Sequence, residues 1–293
     1  MGKLTDHARG ALMAASGICI ISPDALLLRL MTSGTLVIVF WRGLLSAVVL
    51  SSWLLSSQGK DVVGAFKATG WVGLVTAGLN VVTAILFVAA INHTTVANVL
   101  VIVGAQPICA AELSTLILRE PIARSTLIAG LAVGVGLAIV FRGGLEHGSL
   151  AGDLMAFGAM LCVAVRYVLF RSVKTVDMLP SVVMGGVLTA LVVLPFIDPF
   201  SISARDLVLL VLMGAVLMPL GQMLLTAAPR YIPVPEIALI VLLEAVLAPT
   251  WVWLALDEVP PHETLLGGAL IVGTLAVHFT LLGRSKFTAN QDG

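Results

Sequence analysis

Apolar residues run through this chain in blocks of about 20, the length at which a helix rising 1.5 Å per residue spans the hydrocarbon core of a bilayer. Short polar stretches and Gly or Pro clusters separate the blocks. The pattern predicts ten helices, at residues 8–30, 35–57, 69–91, 94–118, 124–141, 151–172, 181–197, 205–227, 236–256 and 263–282. Every connection is too short to hold a soluble domain. The predicted fold class is therefore an all-α polytopic membrane protein with ten transmembrane helices.

Composition agrees with that pattern and narrows the function. Of the 293 residues 59% are hydrophobic and 11% charged, and mean hydropathy is +1.09, whereas soluble domains carry about 25% charged residues. A formal net charge of zero leaves no strongly basic surface for nucleic acid, so nucleic acid is not an expected partner. Cys19, Cys109 and Cys162 all fall inside apolar blocks without CxxC spacing, which implies neither a disulfide framework nor a zinc site. HExxH, GxSxG and GxxxxGK[ST] are absent, and the five histidines are scattered. No catalytic residue, metal or cofactor is expected, and ATP is not the expected energy source. Two other classes compete: a channel, which calls for a repeated polar ring, and a membrane-embedded enzyme for a lipid-like substrate, which calls for an acidic cluster or metal. The intramembrane polar residues are few and unevenly placed, and the only acidic cluster is the DEVPPHE turn at 257–263.

An internal repeat organises the chain. Residues 94–141 align without a gap to 232–279 at an offset of 138, with thirteen of 48 positions identical, among them Glu120/Glu258, Thr126/Thr264, Gly130/Gly268 and Phe141/Phe279. A weaker match at offset 142 joins the starts of the halves: Gly10/Gly152, Leu12/Leu154, Met13/Met155, Arg29/Arg171 and Gly43/Gly185. The expected domains are a five-helix repeat over 1–142, a second over 151–282, and a tail over 283–293. The N-terminal stretch has the basic start and apolar middle of a signal peptide. Its counterpart at 151–172 argues that it is retained.

Lysine and arginine are concentrated on the cytoplasmic side of membrane proteins. Eleven of the sixteen fall on the side of the N-terminus (Lys3, Arg9, Lys60, Lys67, Arg119, Arg124, Arg171, Lys174, Arg230, Arg284 and Lys286), and three on the other (Arg29, Arg142 and Arg205). Both termini are thus expected in the cytoplasm. Five spans per repeat force the second copy to lie inverted. The equivalent loops agree: REPIARS carries two arginines, and DEVPPHE carries three acids with no lysine or arginine. Inverted repeats are a mark of secondary transporters, whose substrate site lies near the midplane between the copies.

Arg42 and Arg166, the remaining two cations, lie within spans. A charge at the centre of a membrane helix costs about 2.5–3.5 kcal/mol on insertion scales, so each calls for a partner or a wet cavity. Arg42 and Asp24 lie at matching depths, on the order of 10 Å from the outer ends of their spans. A structural ion pair and a substrate-carboxylate anchor gated by Asp24 both fit. Arg166, equivalent to Asp24 at offset 142, is placed either to pair with Glu112 across the repeats or to snorkel to the cytoplasmic headgroups. Asn98, Gln106 and Glu112 share one broad polar face of the fourth span. Gln106 is equivalent to Glu244, and Glu244 is the leading candidate for proton coupling, the use to which intramembrane carboxyls are commonly put. Asn80, Gln222 and His278 complete the polar set, as cavity groups or as interhelical hydrogen bonds; His278 is expected near the interface. Trp41 and Tyr167 offer aromatic faces to a cavity, while Trp53, Trp71, Trp251 and Trp253 suit interfacial anchoring. Glycines such as Gly130, Gly134, Gly136 and Gly268 form small-residue packing surfaces, internal or in a homodimer, so a monomer and a homodimer both fit.

LREP at 118–121 with Gly130, Pro107 in the fourth span, FWRG in the second, and LLEAV with ALDEV and Gly268 in the second copy resemble the paired signatures of EamA-type carriers of the drug/metabolite transporter superfamily. The resemblance implies ten helices around a central cavity and export of small metabolites; in overall character the chain is similar to the YddG-type amino-acid exporters. It departs from the pattern at Ala245, where proline usually follows LLE, and its next proline is Pro249. The kink in the second copy is therefore expected about a turn later. The function expected is export of small amphipathic metabolites, amino acids including aromatic ones foremost, by alternating access.

Overall fold

The computed structural model describes residues 6–94, 99, 102–103, 106–119, 124–141, 149–256, 266–274 and 277–278. Among these, every regular element is helical. Six helices are long and apolar enough to cross a membrane: Asp6–Leu28, Thr35–Ser57, Gly70–Phe87, Leu150–Ser172, Leu179–Phe196 and Ala204–Arg230. Arg124–Gly136 is a shorter apolar helix. Asn98, the full REPIARS and DEVPPHE loops and the tail 283–293 lie outside the described residues or extend beyond them.

The elements that position the site are α1 (Asp6–Ile21), α2 (Asp24–Leu30), α3 (Thr35–Gln58), α4 (Val62–Ala68), α5 (Gly70–His93), α6 (Gln106–Leu113), α7 (Arg124–Phe141), α8 (Leu150–Ser172), α9 (Leu179–Val193), α10 (Ala204–Val211), α11 (Met218–Ala227), α12 (Val234–Val241) and α13 (Glu244–Leu256). Local chemistry sets several boundaries. The Ser149 hydroxyl accepts the Gly152 N–H at 3.1 Å and opens α8; Ser203 does the same for Asp206 at the start of α10, also at 3.1 Å. At its far end α3 stops on Gly59, whose φ of 55° is open to glycine and strained for other residues.

Two expected spans are broken. The first splits at Ser22–Pro23 and restarts with Asp24, because Pro23 has no N–H to continue the ladder. Its counterpart α8 has Val165 at the equivalent position and runs unbroken. The ninth splits at Leu242–Leu243 and restarts with Glu244; α13 then runs through residue 249. The interruption thus precedes Glu244, earlier than the position expected from Pro249. Pro249 deprives the carbonyl of residue 245 of its partner, and that carbonyl lies after the break, so this proline does not set it. The chain closes the break with short-range bonds from the N–H groups of Leu242, Leu243 and Val246 to the carbonyls three residues back. Each break puts a carboxylate at the first position of a new helical segment.

The halves pack reciprocally. Helix α1 lies against α11 and α12, and its counterpart α8 lies against α5 and α6; α3 packs on α9, and α6 on α12. The glycines show the same relation at atomic scale. A Cβ on Gly10 would meet the Cβ of Tyr231 at 2.6 Å and Cγ2 of Ile232 at 2.8 Å. On the equivalent Gly152 it would meet the Cβ of Thr94 at 2.6 Å and the carbonyl carbon of His93 at 2.8 Å. Tyr231 and Ile232 are His93 and Thr94 displaced by the repeat offset of 138. One close packing contact thus occurs twice, with the roles of the halves exchanged.

The main core joins α1, α8, α11 and α12 through Ala14, Ile18, Ala164, Val168, Leu225 and Ile237. Large apolar side chains including Trp71, Ile128, Leu191 and Phe196 are exposed on the outside. A surface of this kind is suited to lipid, where helices satisfy their own backbone groups. The chain is a multi-pass membrane protein.

Candidate functional site

The two broken helices meet. Helix α13 packs against α2, and the Trp251 indole N–H donates to the Ser22 hydroxyl at 2.8 Å, tying one break to the helix beyond the other. Asp24 and Glu244 are thereby brought within electrostatic reach of each other, and Arg42 of α3 is within reach of both. Nη2 of Arg42 lies 3.1 Å from Oδ2 of Asp24 and 3.3 Å from Sδ of Met218. The Asp24 side chain is 8% exposed and that of Arg42 33%. Oδ1 of Asp24 is buried without a hydrogen-bond partner. The close approach of α3 that delivers Arg42 rests on Gly214, where a Cβ would come within 3.3 Å of the Arg42 Cα.

A second polar group lies on α8. Nη1 of Arg166 donates to Oδ1 of Asn80 at 2.5 Å, and the Asn80 amide reaches Oγ1 of Thr189 at 3.4 Å. The guanidinium sits 5.9 Å from the centre of the Tyr167 ring, and that ring packs edge-on against Phe170 at 6.4 Å. Tyr167 is within electrostatic reach of both Arg166 and Glu244, so it links the two groups. Gln106 opens α6, is 2% exposed, and has its amide nitrogen buried without a partner.

Asp24, Arg42 and Glu244 thus bring charges of both signs to the meeting of the broken helices, and Arg166 with Asn80 and Tyr167 forms a second cationic group. A family model for the EamA-like transporter family matches residues 9–142 and again 150–280. The chain belongs to the EamA-like transporter family. Each half matches that family separately, so the EamA unit is present twice, and the family lies in the drug/metabolite transporter superfamily. A solved crystal structure, 15% identical in sequence, superposes with a TM-score of 0.82 over 94% of this chain and 98% of its own. That likeness extends to the fold. No curated protein matches the chain in a sequence search.

Among the residues singled out from sequence, Asp24, Arg42 and Glu244 form one group in this EamA chain, and Asn80, Arg166 and Tyr167 form another. Trp41 is turned elsewhere: its indole N–H donates to the Pro199 carbonyl at 2.8 Å, and its ring packs edge-on against Phe40. It anchors the segment between α9 and α10. Glu112 is exposed and does not pair with Arg166. Arg166 does not snorkel, because Asn80 and Tyr167 hold its head inward. Gln222 is half-buried on α11. His278 is buried, against the expectation of an interfacial site, and lies within electrostatic reach of His7 and Glu236.

Two polar clusters escaped the sequence. His7 pairs with Glu236 through Nε2 and Oε2 at 2.6 Å, tying the start of α1 to α12. Glu236 is the counterpart of Asn98 at offset 138, so the repeat alignment already marked its position as polar. Oδ2 of Asp206 accepts four hydrogen bonds, from the N–H and hydroxyl of Thr32 (2.9 and 3.1 Å) and of Ser33 (2.8 and 2.7 Å). This clamp fixes the connection between α2 and α3. Its partners are 173 and 174 residues away, and no local pattern announces them.

Proposed function

We propose that this EamA protein is a secondary carrier of ten helices in two inverted five-helix repeats. It sits in a bacterial inner membrane with both termini in the cytoplasm. It exports small amphipathic metabolites, amino acids including aromatic ones foremost, by alternating access around a midplane site. The observation that carries this reading is the meeting of two broken helices, each restarting on a carboxylate, with Arg42 reaching both from a neighbouring helix. Broken helices near the midplane are where secondary transporters bind substrate and coupling ions. The reciprocal packing of Gly10 and Gly152 supports the two-fold relation, and with five spans per repeat such a relation inverts one copy. In this scheme Asp24 and Arg42 gate the outer side and Glu244 is the coupling carboxyl.

Counterflow in proteoliposomes against a panel of amino acids, nucleosides and organic cations tests the proposal. A carrier shows saturable uptake that is accelerated by unlabelled substrate on the opposite side. Flux that neither saturates nor shows counterflow marks a channel, and chemical conversion of the substrate marks an enzyme.

A further inference from the structure

Arg166 lies six residues before the end of α8, on the order of 9 Å along the helix axis. It is met by neutral groups, the Asn80 Oδ1 at Nη1 and the Tyr167 side chain, and its Nε is buried with no partner. Among the described residues no carboxylate pairs with it: Glu112 is exposed, and Asp24 pairs with Arg42. A neutral amide offsets only part of the cost of holding a guanidinium away from water, and a full offset takes an anion. The structure therefore contains one intramembrane arginine with its carboxylate in place and a second without one. On α6, the helix packed against α8, Gln106 has a further buried N–H donor unfilled.

We infer that Arg166, and not Arg42, receives the carboxylate of the transported molecule. This rests on the carrier function proposed above. Charge favours a zwitterion. An amino acid brings no net charge into a medium that screens poorly, whereas a doubly charged phosphate brings two negative charges against the single positive charge of Arg166.

The test uses the full-length carrier in proteoliposomes, with counterflow of L-phenylalanine, L-leucine and L-threonine, each in competition with its own carboxamide and with inorganic phosphate. Wild type is expected to prefer the carboxylate over the carboxamide by about tenfold or more and to ignore phosphate, as a site built to bind a polar group rejects the analogue lacking it. In Arg166→Gln the KM for the amino acid should rise about tenfold, the maximal rate should change little, and the preference over the carboxamide should disappear. Arg166→Gln with unchanged KM and unchanged preference overturns the inference and leaves the carrier standing. If that variant does not reconstitute, Arg166→Lys keeps the charge and loses the planar fork; a KM raised several-fold supports the inference and an unchanged KM overturns it. A wild type that exchanges carboxamides or organic cations as well as amino acids also overturns it. Absence of saturable counterflow for these amino acids and for the nucleosides and organic cations named above removes the carrier proposal and the anchor together, whereas counterflow of the latter alone overturns only the anchor.

Discussion

Arg42 and Asp24 meet at 3.1 Å, and the aspartate's other oxygen is buried without a hydrogen-bond partner. Removing either partner leaves the other poorly compensated, which for buried pairs costs about 3 kcal/mol or more. Arg42→Gln and Asp24→Asn should each lower the thermal midpoint in detergent, and the double variant should recover part of the loss. A double-mutant cycle is expected to give a coupling of at least about 1 kcal/mol. Additive effects would show that the pair does not hold α2 to α3.

Glu244 opens α13 within electrostatic reach of Asp24, Arg42 and Tyr167. As the coupling carboxyl it must gain and lose a proton during the cycle. Counterflow and net flux measured across a pH series should therefore vary with pH in wild type and flatten in Glu244→Gln. A variant with the wild-type pH profile removes Glu244 from that role.

The Asp206 clamp is a stability element at the far end of α2 from the break at Ser22–Pro23. Hydrogen bonds to a charged acceptor contribute about 1.5–3 kcal/mol each in isolation, and four to one oxygen are not additive. Asp206→Ala is expected to lower the unfolding midpoint, with the KM of transport retained. A variant as stable as wild type would contradict the clamp.

Helices α3 and α9 cross at Gly43 and Gly186. A Cβ at Gly186 would lie 2.7 Å from the Gly43 carbonyl oxygen and 3.2 Å from the Ala47 Cβ, whereas a Cβ at Gly78 meets nothing within 4 Å. Gly186→Ala should lose about 1–3 kcal/mol by forcing the helices apart, and Gly78→Ala should lose none. Equal behaviour of the two in thermal unfolding would rule out backbone contact at the crossing.

Periodicity and self-alignment reveal the membrane helices and the duplication, because blocks of apolar residues and an ungapped offset are properties of the chain alone. The Asp24–Arg42 pairing was among the readings the sequence offered, since two opposite charges at one depth on consecutive spans have a partner in each other. Pro23 carried a breaker signal inside the first span, yet its effect, the restart of the helix on Asp24, emerges only with the backbone in place. Pairings between distant segments were hidden. Glu112 and Arg166 match in depth, but depth does not fix which way a side chain faces, and Arg166 turns to Asn80 on α5. His7 finds Glu236 across 229 residues of sequence. Trp41 and Arg42 are adjacent, but neighbouring residues on a helix point about 100° apart, which sends one to Pro199 and the other to Asp24.

The account depends most on the two EamA repeats facing opposite ways across the bilayer. With Cys19, Cys109 and Cys162 replaced, single cysteines placed within 119–125 and within 257–263 can be labelled from either side of sealed vesicles with a membrane-impermeant maleimide. The two segments are predicted to label from opposite compartments, 119–125 from the side of the termini. Labelling of both from one compartment would contradict the inverted arrangement and, with it, the shared site between the halves.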